Sequence, residues 1–426
     1  MTRPIDNQTC APHRRTVAVV GGGAAGMMAA WSAAVSGAHV VLLERSGKLG
    51  RKLRLTGKGR CNVTNDCDTG EFLSQVLTNP RFLYAALNRF STADTMAFFE
   101  DCGVKLKTER GRRVFPVSDR AVDIVSALAD ACHRAGVEVI YERVTGLSVD
   151  EQGNLCGVTT ENGRYDADAV IVCTGGLSYP TTGSDGDGYS LARQAGHTVT
   201  DLSPSLVPLT SKDAICPALQ GLSLKNVRLC ITDDKNGKTV YEDFGEMMFA
   251  HFGLTGPMIL SASAYLRSIE PQRYTAHVDL KPALDEKTLD ARLLSDFDKY
   301  RNRDFLHALD DLLPQKLIPE IIRLCGIPPR QKVNAITREQ RQSLLRLLKD
   351  VRIPLQGTRP IDEAIITRGG VDVRGIDPKS MESKRLPGLY FAGEVLDVDA
   401  YTGGYNLQIA FSTAVLAGEH AAWAAT

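Results

Sequence analysis

Thr16-Val17-Ala18-Val19-Val20-Gly21-Gly22-Gly23-Ala24-Ala25-Gly26 is the stretch that decides the fold of this 426-residue chain. Its β-branched first half is typical of a buried parallel strand, and it runs directly into a G-x-G-x-x-G pattern at Gly21, Gly23 and Gly26. In such a turn the first glycine permits the bend, the second lets the backbone approach a pyrophosphate, and the third allows a helix to pack on the strand. The N-terminus of the following helix then faces the phosphates.

The residues after this turn complete a βαβ unit. An alanine-rich helix is expected from Ala24 to Val35, and the chain returns through Gly37 to a second strand that ends at Glu44. This acid lies 18 residues beyond Gly26, where a dinucleotide-binding unit places the acceptor for the adenosine ribose hydroxyls. Together these features predict a dinucleotide site. The alternative, an ordinary glycine-rich turn, would make the acid at position 44 a coincidence.

Composition sets the class of protein. The length exceeds what one hydrophobic core usually serves, so two or three domains are expected. Equal numbers of cationic and acidic residues, 50 of each, remove the net positive charge expected of a dedicated nucleic-acid binder. The 10 cysteines form no C-x-x-C pair, which predicts reduced thiols and no metal site. No run reaches the ~20 apolar residues of a membrane span.

The N-terminus imitates an export signal. His13-Arg14-Arg15 precedes the apolar run Val17 to Val20, but this run breaks at Gly21. Cleavage beyond that point would remove the glycine-rich turn and with it the cofactor site. We therefore expect a cytoplasmic protein with a small-molecule substrate and without a membrane or nucleic-acid partner, and its oligomeric state stays open.

The sequence after Glu44 and the C-terminal region both favour FAD over NAD. A long loop rich in glycine and cations, residues 47–65, suits an extended FAD, with a solvated basic loop as the alternative. Near the C-terminus, residues 389–393 read as a buried strand ending in glycine, and an apolar helix follows from Leu407 to about Ala422. The free N–H groups and ~+0.5 charge at the start of that helix are aimed, on this interpretation, at the flavin pyrimidine edge.

Two further segments belong to the predicted FAD site. Residues 169–172 form a buried strand that closes on a glycine pair, and Val144 lies just beyond the strand expected over residues 137–140. The predicted FAD-binding residues are Gly21, Gly23, Ala24, Ala25, Gly26, Glu44, Arg45, Lys52, Gly57, Gly59, Arg60, Cys61, Asn62, Val144, Thr174, Gly175, Gly176, Gly393, Glu394, Gly404, Tyr405 and Asn406.

These motifs resemble a bacterial family, the NAD(P)/FAD-dependent oxidoreductases related to BaiN, which includes proteins described as aminoacetone oxidase-like. The resemblance spans nearly the whole chain and rests on residues 56–65, 251–257 and 369–408, while residues 174–188 also resemble the fumarate reductase group of flavoproteins. It implies an α/β fold, a Rossmann-type FAD-binding domain with an inserted β-rich region and a small helical subdomain. It also implies non-covalent FAD, with a backbone contact of Val144 to the adenine, and NAD(P)H as a transient electron donor, although no second G-x-G-x-x-G marks a site for NAD(P)H.

Changes in pattern along the chain place the domain boundaries. The FAD-binding domain is predicted over residues 1–195 and 360–426, and the β-rich insert over 196–284. The helical subdomain follows over 285–350, and 351–359 is the return segment. Specific helix signals are a cap at Ser118 for a helix over 119–134, apolar faces at Leu289, Leu293 and Phe297 and at Phe305, Leu309, Leu312 and Leu313, and a capping box at Thr337 and Gln340.

Two residues are the predicted catalytic acids or bases, His251 and Tyr405. His251 follows Phe249-Ala250, and histidine transfers protons near neutral pH. A structural histidine at a domain junction is an equal alternative, and packing is the alternative for Tyr405. The basic stretch 105–113 reads as a solvated hairpin in preference to a site for a phosphate of NADPH.

The leading functional hypothesis is an oxidoreductase that passes electrons from NAD(P)H through FAD to an activated C=C bond, such as an enone. A second hypothesis is an O2-using oxidase of a small amine or ketone. A third is a non-redox or RNA-associated flavoprotein, which the balanced charge disfavours.

Overall fold

The computed structural model describes residues 14–266 and 269–423. Cys10, one of the 10 cysteines, and His13, at the start of the stretch that imitates an export signal, lie outside these ranges. The strands are β1 (Thr16–Val20), β2 (His39–Leu43), β3 (Thr64–Asn65), β4 (Leu106–Glu109), β5 (Arg113–Pro116), β6 (Glu138–Ile140), β7 (Val144–Val149), β8 (Leu155–Thr160), β9 (Arg164–Asp166), β10 (Ala169–Val172), β11 (Ser203–Ser205), β12 (Leu209–Thr210), β13 (Ser223–Asp233), β14 (Lys238–Ala250), β15 (Gly253–Thr255), β16 (Tyr274–Asp279), β17 (Val351–Pro354), β18 (Gly357–Thr358), β19 (Ile366–Arg368) and β20 (Leu389–Phe391). The helices are α1 (Ala24–Val35), α2 (Thr69–Ser74), α3 (Tyr84–Arg89), α4 (Thr92–Asp101), α5 (Ala121–Arg134), α6 (Asp187–Gln194), α7 (Ile215–Ala218), α8 (Pro257–Ser263), α9 (Glu286–Lys299), α10 (Ile318–Cys325), α11 (Arg338–Lys349) and α12 (Tyr405–Ala422).

The chain divides into two compact units. The first runs to Ser203 and resumes at Ile366, and the second comprises Pro204–Ile365. Each unit has its own hydrophobic core. In the second unit the β-rich and helical parts share one core, to which Leu229 on β13 and Leu293 on α9 both contribute.

A parallel sheet organises the first unit, in the order β20-β10-β1-β2-β6. Strand β1 lies in the middle, where its residues pair with β10 on one side and β2 on the other. All five of its side chains are buried or nearly so, as a strand covered on both faces requires. The structure therefore confirms the Rossmann-type α/β fold.

Helices α1 and α12 pack closely against each other beside this sheet. A Cβ atom added to Gly418 would lie 2.6 Å from the carbonyl oxygen of Ala29, so only glycine permits this approach. The Ser32 hydroxyl donates a hydrogen bond of 2.8 Å to the carbonyl oxygen of Val415. The C-terminal helix is thereby fixed to the helix that begins at the glycine-rich turn.

Some predicted elements need correction. Helix α5 begins at Ala121 rather than residue 119, and Ser118 does not cap it, because Asp119 adopts a left-handed φ of 55° that no α-helix accommodates. The stretch with Phe305 and Leu313 forms a short 3₁₀ turn at Phe305–His307 rather than an α-helix. Its apolar side chains are nevertheless buried, so burial alone produced a helix-like pattern there.

The second unit is built on an antiparallel sheet in the order β17-β16-β13-β14-β15-β12-β18. Helices α9, α10 and α11 follow β16, and the short helices α7 and α8 interrupt the β-rich part. The predicted capping box at the start of α11 is present, since Gln340 N–H donates to Thr337 Oγ1 at 3.2 Å and Thr337 N–H donates to Gln340 Oε1 at 2.9 Å.

Within residues 14–266 and 269–423, the structure has no helix with the length and apolar character needed to cross a bilayer. The same ranges contain no group of three or more His, Cys, Asp or Glu side chains arranged to hold a metal ion.

Candidate FAD site

The predicted cofactor residues gather at one edge of the parallel sheet. Strands β1, β2, β10 and β20 run in the same direction, so their carboxyl ends lie together. Gly21, Glu44, Cys173 and Ala392 are the first residues beyond these four ends. Open α/β sheets bind their ligands at this edge, which places the first unit's candidate site there.

The glycine-rich turn has the shape that a pyrophosphate requires. Gly21 has a φ of 102°, and a Cβ on Gly26 would lie 1.7 Å from the carbonyl oxygen of Gly21. At Gly23 an added Cβ would meet no atom of the described residues within 4 Å, so the space in front of the turn is open. Gly23 also begins α1 without a side-chain cap, which leaves the first N–H groups of the helix for a phosphate.

Glu44 is buried and held rigidly at the end of β2. Its Oε2 atom accepts a hydrogen bond of 2.7 Å from Gly22 N–H, and its Oε1 atom accepts one of 2.7 Å from Ser46 N–H. A carboxylate offers about four acceptor positions, so two remain for ribose hydroxyls. The residues present therefore fit the adenosine half of FAD.

Arg45 belongs to an ion-pair cluster that the sequence did not reveal. Its guanidinium contacts Asp185 and lies 3.0 Å from Asp187, while Arg143 Nη2 lies 2.7 Å from Asp187. Burial would raise the pKa of Asp187, but hydrogen bonds from Arg143 and Arg45 outweigh it and lower that pKa. The cluster connects the end of β2, the start of β7 and the first turn of α6.

Lys52 and Glu394 meet in a second polar cluster, although 342 positions separate them. Lys52 Nζ lies 2.6 Å from Glu394 Oε2 and donates to Ser178 Oγ at 2.7 Å. Ser178 Oγ donates to Glu394 Oε1 at 3.0 Å, and Thr367 N–H donates to the same oxygen at 2.9 Å. The sequence suggested Lys52 and Glu394 separately, but it offered no signal for Ser178 or Thr367.

The loop from Gly57 to Asn62 uses left-handed backbone at several positions. Gly57 has a φ of 56° and the buried Cys61 a φ of 59°. Burial raises the pKa of the Cys61 thiol to about 12, so it stays protonated at neutral pH. Gly59 also has a positive φ, of 84°, and an added Cβ there would meet nothing within 4 Å among the described residues.

Two buried polar atoms at the edge lack a protein partner. The oxygen atoms Asn62 Oδ1 and Thr174 Oγ1 have no hydrogen-bond partner among the described residues. Buried polar groups are nearly always satisfied by protein, water or a ligand, so these two oxygens are available to a bound group. Both residues are among those predicted to bind FAD.

Arg60 is engaged by other protein groups. Its guanidinium lies 2.6 Å from Asp119 Oδ1, contacts Glu109 Oε1 at 2.5 Å, and stacks 4.2 Å from the centre of the Phe115 ring. These contacts, to residues on the hairpin of β4 and β5 and just after it, use most of the N–H donors of the Arg60 guanidinium. Its predicted role with FAD stays a prediction.

Glycines again bring chain segments together at the ends of β10 and β20. A Cβ on Gly176 would lie 2.4 Å from Thr367 Oγ1, and one on Gly393 would lie 2.7 Å from the Cβ of Ala25. Gly175 has a φ of 74°. Val144 is buried at the start of β7.

Helix α12 begins at Tyr405, and Gly404, the N-cap residue before it, adopts a left-handed conformation. A Cβ on Gly404 would lie 2.3 Å from the carbonyl oxygen of Thr64, which holds the helix start beside β3. The Asn406 amide nitrogen donates to the carbonyl oxygens of Ala400 at 2.8 Å and Tyr401 at 3.1 Å. The side chain of Asn406 thus orders the preceding loop, and direct contact with flavin stays a prediction.

The two catalytic candidates occupy different units. Tyr405 packs edge-to-face on Phe72 with ring centres 5.2 Å apart, and burial raises the pKa of its phenol to about 12. His251 is exposed in the turn between β14 and β15 of the second unit, beside Phe252. Tyr405 therefore belongs to the first unit and His251 to the second.

The basic stretch 105–113 forms the hairpin of β4 and β5. Lys107 Nζ lies 2.8 Å from Asp119 Oδ2, and Arg112 contacts Glu71. These two cations are thus partly neutralised by the protein itself.

Nearly the whole chain matches a known family model. The model described as "HI0933-like protein Rossmann domain" covers residues 15–420. The chain belongs to the HI0933-like family. This result confirms the resemblance to BaiN-related flavoproteins and the assignment as an FAD-dependent oxidoreductase.

Two curated relatives match nearly end to end. The 3-dehydro-bile acid delta(4,6)-reductase of Clostridium scindens is 32% identical over 421 residues, which cover 95% of this chain and 98% of the relative. The ribosomal RNA dihydrouridine synthase of Escherichia coli is 34% identical over 401 residues, covering 93% and 95%.

Solved structures show the same fold. A flavocytochrome c3 fumarate reductase aligns with a TM-score of 0.51 and 17% identity, over 97% of this chain and 79% of that one. The 3-ketosteroid-delta4-(5alpha)-dehydrogenase of Rhodococcus jostii RHA1 aligns with a TM-score of 0.50 and 16% identity, over 99% and 100%. The HI0933-like chain therefore has the fold of flavin-dependent dehydrogenases and reductases.

Proposed function

We propose that this protein uses FAD to saturate a C=C bond that is conjugated to a carbonyl group. The observation that carries the proposal is that the two relatives described above have names that indicate this chemistry, one on a bile acid and one on a uracil base. Bound FAD supplies the hydride in such a reaction. The two classes of acceptor are a small enone and a base in RNA. The small enone fits better, because this chain lacks the net positive charge expected of a nucleic-acid binder.

The residues at the sheet edge are suited to hold the cofactor. The glycine-rich turn receives the pyrophosphate, Glu44 accepts from the ribose, and the unpaired oxygens of Asn62 and Thr174 are available to the cofactor. The cluster of Lys52 and Glu394 ties the loop after the turn to the segment after β20.

Addition of a hydride to the β-carbon of an enone must be matched by a proton at the α-carbon. Either Tyr405 or His251 is the proposed proton donor. The raised pKa of Tyr405 keeps its phenol protonated at neutral pH, as a donor requires. NAD(P)H is the proposed reductant, and its oxidation to NAD(P)⁺ supplies the two electrons that the substrate takes up.

The test is a competition between electron acceptors. The purified holoenzyme is reduced anaerobically and mixed with 2-cyclohexenone or a 3-oxo-4-ene steroid, and flavin absorbance is followed. We expect faster reoxidation by at least one enone than by air-saturated buffer. If O2 is faster than every enone and a small amine bleaches the oxidised flavin, an oxidase replaces this proposal.

A uracil base in ribosomal RNA is the second candidate acceptor, because the Escherichia coli relative covers almost the whole chain. The same reduced holoenzyme is mixed with unmodified ribosomal RNA fragments, followed by nuclease digestion and mass analysis. Dihydrouridine in the digest, without reoxidation by small enones, would favour RNA. Saturated enone without dihydrouridine would favour the small molecule.

The cytoplasm is the proposed location. Fractionation of the native host with an antibody against the chain tests it, since an exported protein would be recovered outside the cytoplasmic fraction.

A further inference from the structure

The second unit contains a cavity of about 250 Å³ that none of the predicted site residues lines. Its apolar walls come from Leu224 and Val227 on β13, from Leu280 after β16, and from Leu313 and Leu317 before α10. Two lysines, at positions 225 and 281, together with Ser223 and Pro314 complete the lining, and no acidic side chain is part of it. The cavity thus combines an apolar interior with positive charge.

A β-bulge on β13 positions the first lysine. Leu224 pairs with Met247 and Val227 pairs with Gly245, so β13 has one more residue than β14 in this interval. Asn226 has the left-handed φ of 55° that accommodates the extra residue. Bulges re-aim side chains, and this one sets Lys225 at the cavity.

The second lysine is partly buried without a counter-ion. The nearby Asp279 forms its ion pair with Lys349, whose Nζ lies 2.6 Å from Asp279 Oδ2. Lys349 Nζ also donates to the backbone carbonyl oxygen of Lys281 at 3.2 Å. Across the described residues, the Lys281 ammonium has no hydrogen-bond or ion-pair partner. Burial, and then the nearby charge of Arg292, lower the pKa of Lys281.

A partly buried ammonium without a partner is costly, and a bound carboxylate would relieve that cost. We propose that this cavity is a binding site for a monocarboxylate with an apolar chain, whose carboxylate lies between Lys225 and Lys281 and whose chain contacts the leucines. At roughly 30 Å³ for each water-sized group, the volume holds about eight such groups. A medium-chain fatty acid of the size of octanoate fits this description.

This inference is independent of the flavin reaction, so its test uses direct binding. Octanoate is titrated into the FAD-loaded holoenzyme in a calorimeter, with 1-octanol and inorganic phosphate as probes that each lack one half of the ligand. We expect one octanoate per chain and weaker binding of both partial probes.

Variants assign the site. Lys281→Met keeps the apolar stem but removes the charge, and should weaken octanoate about tenfold or more, the loss expected for a hydrogen bond to a charged group. Lys281→Arg should restore most of the affinity. Lys238→Met, at an exposed position at the start of β14, is the matched control and should bind like the unsubstituted protein.

Three outcomes would overturn the proposal. They are absence of octanoate binding, equal affinity in Lys281→Met, and octanoate binding that perturbs the flavin absorbance and survives Lys281→Met. The last result would place the ligand at the flavin. Circular dichroism of each variant, compared with the unsubstituted protein, ensures that a lost fold is not counted as lost binding.

Discussion

Replacement of Glu44 by Gln should weaken FAD binding and should also lower the stability of the apoprotein. The native carboxylate accepts two backbone hydrogen bonds of 2.7 Å, from Gly22 and Ser46. A glutamine has one carbonyl oxygen, so its NH2 group must face one of these N–H donors. The buried position, 8% exposed, leaves little water to replace the lost bond.

The magnitude follows from the charged hydrogen bonds involved. One such bond contributes ~1.5–3 kcal/mol, so the free energy of unfolding of the apoprotein should fall by about that amount. A ribose hydroxyl would lose a charged acceptor as well, which weakens FAD by roughly ten- to a hundredfold. Both effects come from one side chain.

The assay is fluorescence titration of apoprotein with FAD, combined with urea unfolding of the same preparation. Glu138→Gln, an exposed glutamate on the neighbouring strand β6, is the matched control and should change neither quantity. An unchanged FAD dissociation constant in Glu44→Gln, with reduced stability, would show that Glu44 serves the turn and not the ribose.

Three further outcomes follow from single contacts. Gly26→Ala should abolish retention of FAD on purification, because its Cβ would lie 1.7 Å from the carbonyl oxygen of Gly21; a yellow, stable variant would contradict the geometry of the turn. Thr337→Ala should lower the stability of the second unit by ~1 kcal/mol in urea unfolding through loss of the cap on α11, with Thr358→Ala, outside any helix cap, as the control. Burial lowers the pKa of His197 from its usual 6.5, so the native state binds fewer protons than the unfolded state. The free energy of unfolding should therefore fall as the pH drops below about 6.5, and His197→Gln should make this fall smaller. An equal slope of unfolding free energy against pH in the variant would refute the assignment.

The sequence was most informative where a backbone requirement leaves few residue choices. The turn from Gly21 to Gly26 and the strand before it are where the pattern placed them, because close backbone approaches exclude side chains there. The capping box at Thr337 is another local signal that the structure confirms. These features depend on residues three to five positions apart.

Long-range clusters could not be predicted in the same way. Lys52 meets Glu394 and Ser178 only because the parallel sheet brings their segments to one edge, and Thr367 joins through its backbone N–H, which carries no sequence signal. Errors in local structure had local causes. The left-handed Asp119 displaced the start of α5, and a buried irregular segment near Phe305 imitated a helical face.

Product stoichiometry shows whether the protein saturates a C=C bond conjugated to a carbonyl with electrons from its FAD. Holoenzyme is reduced anaerobically to a known extent, mixed with excess enone, and the organic products are quantified by mass spectrometry. We expect one saturated ketone, heavier by two hydrogens, for each FAD that is reoxidised. Flavin that stays reduced with every enone and transfers its electrons only to O2 would contradict it.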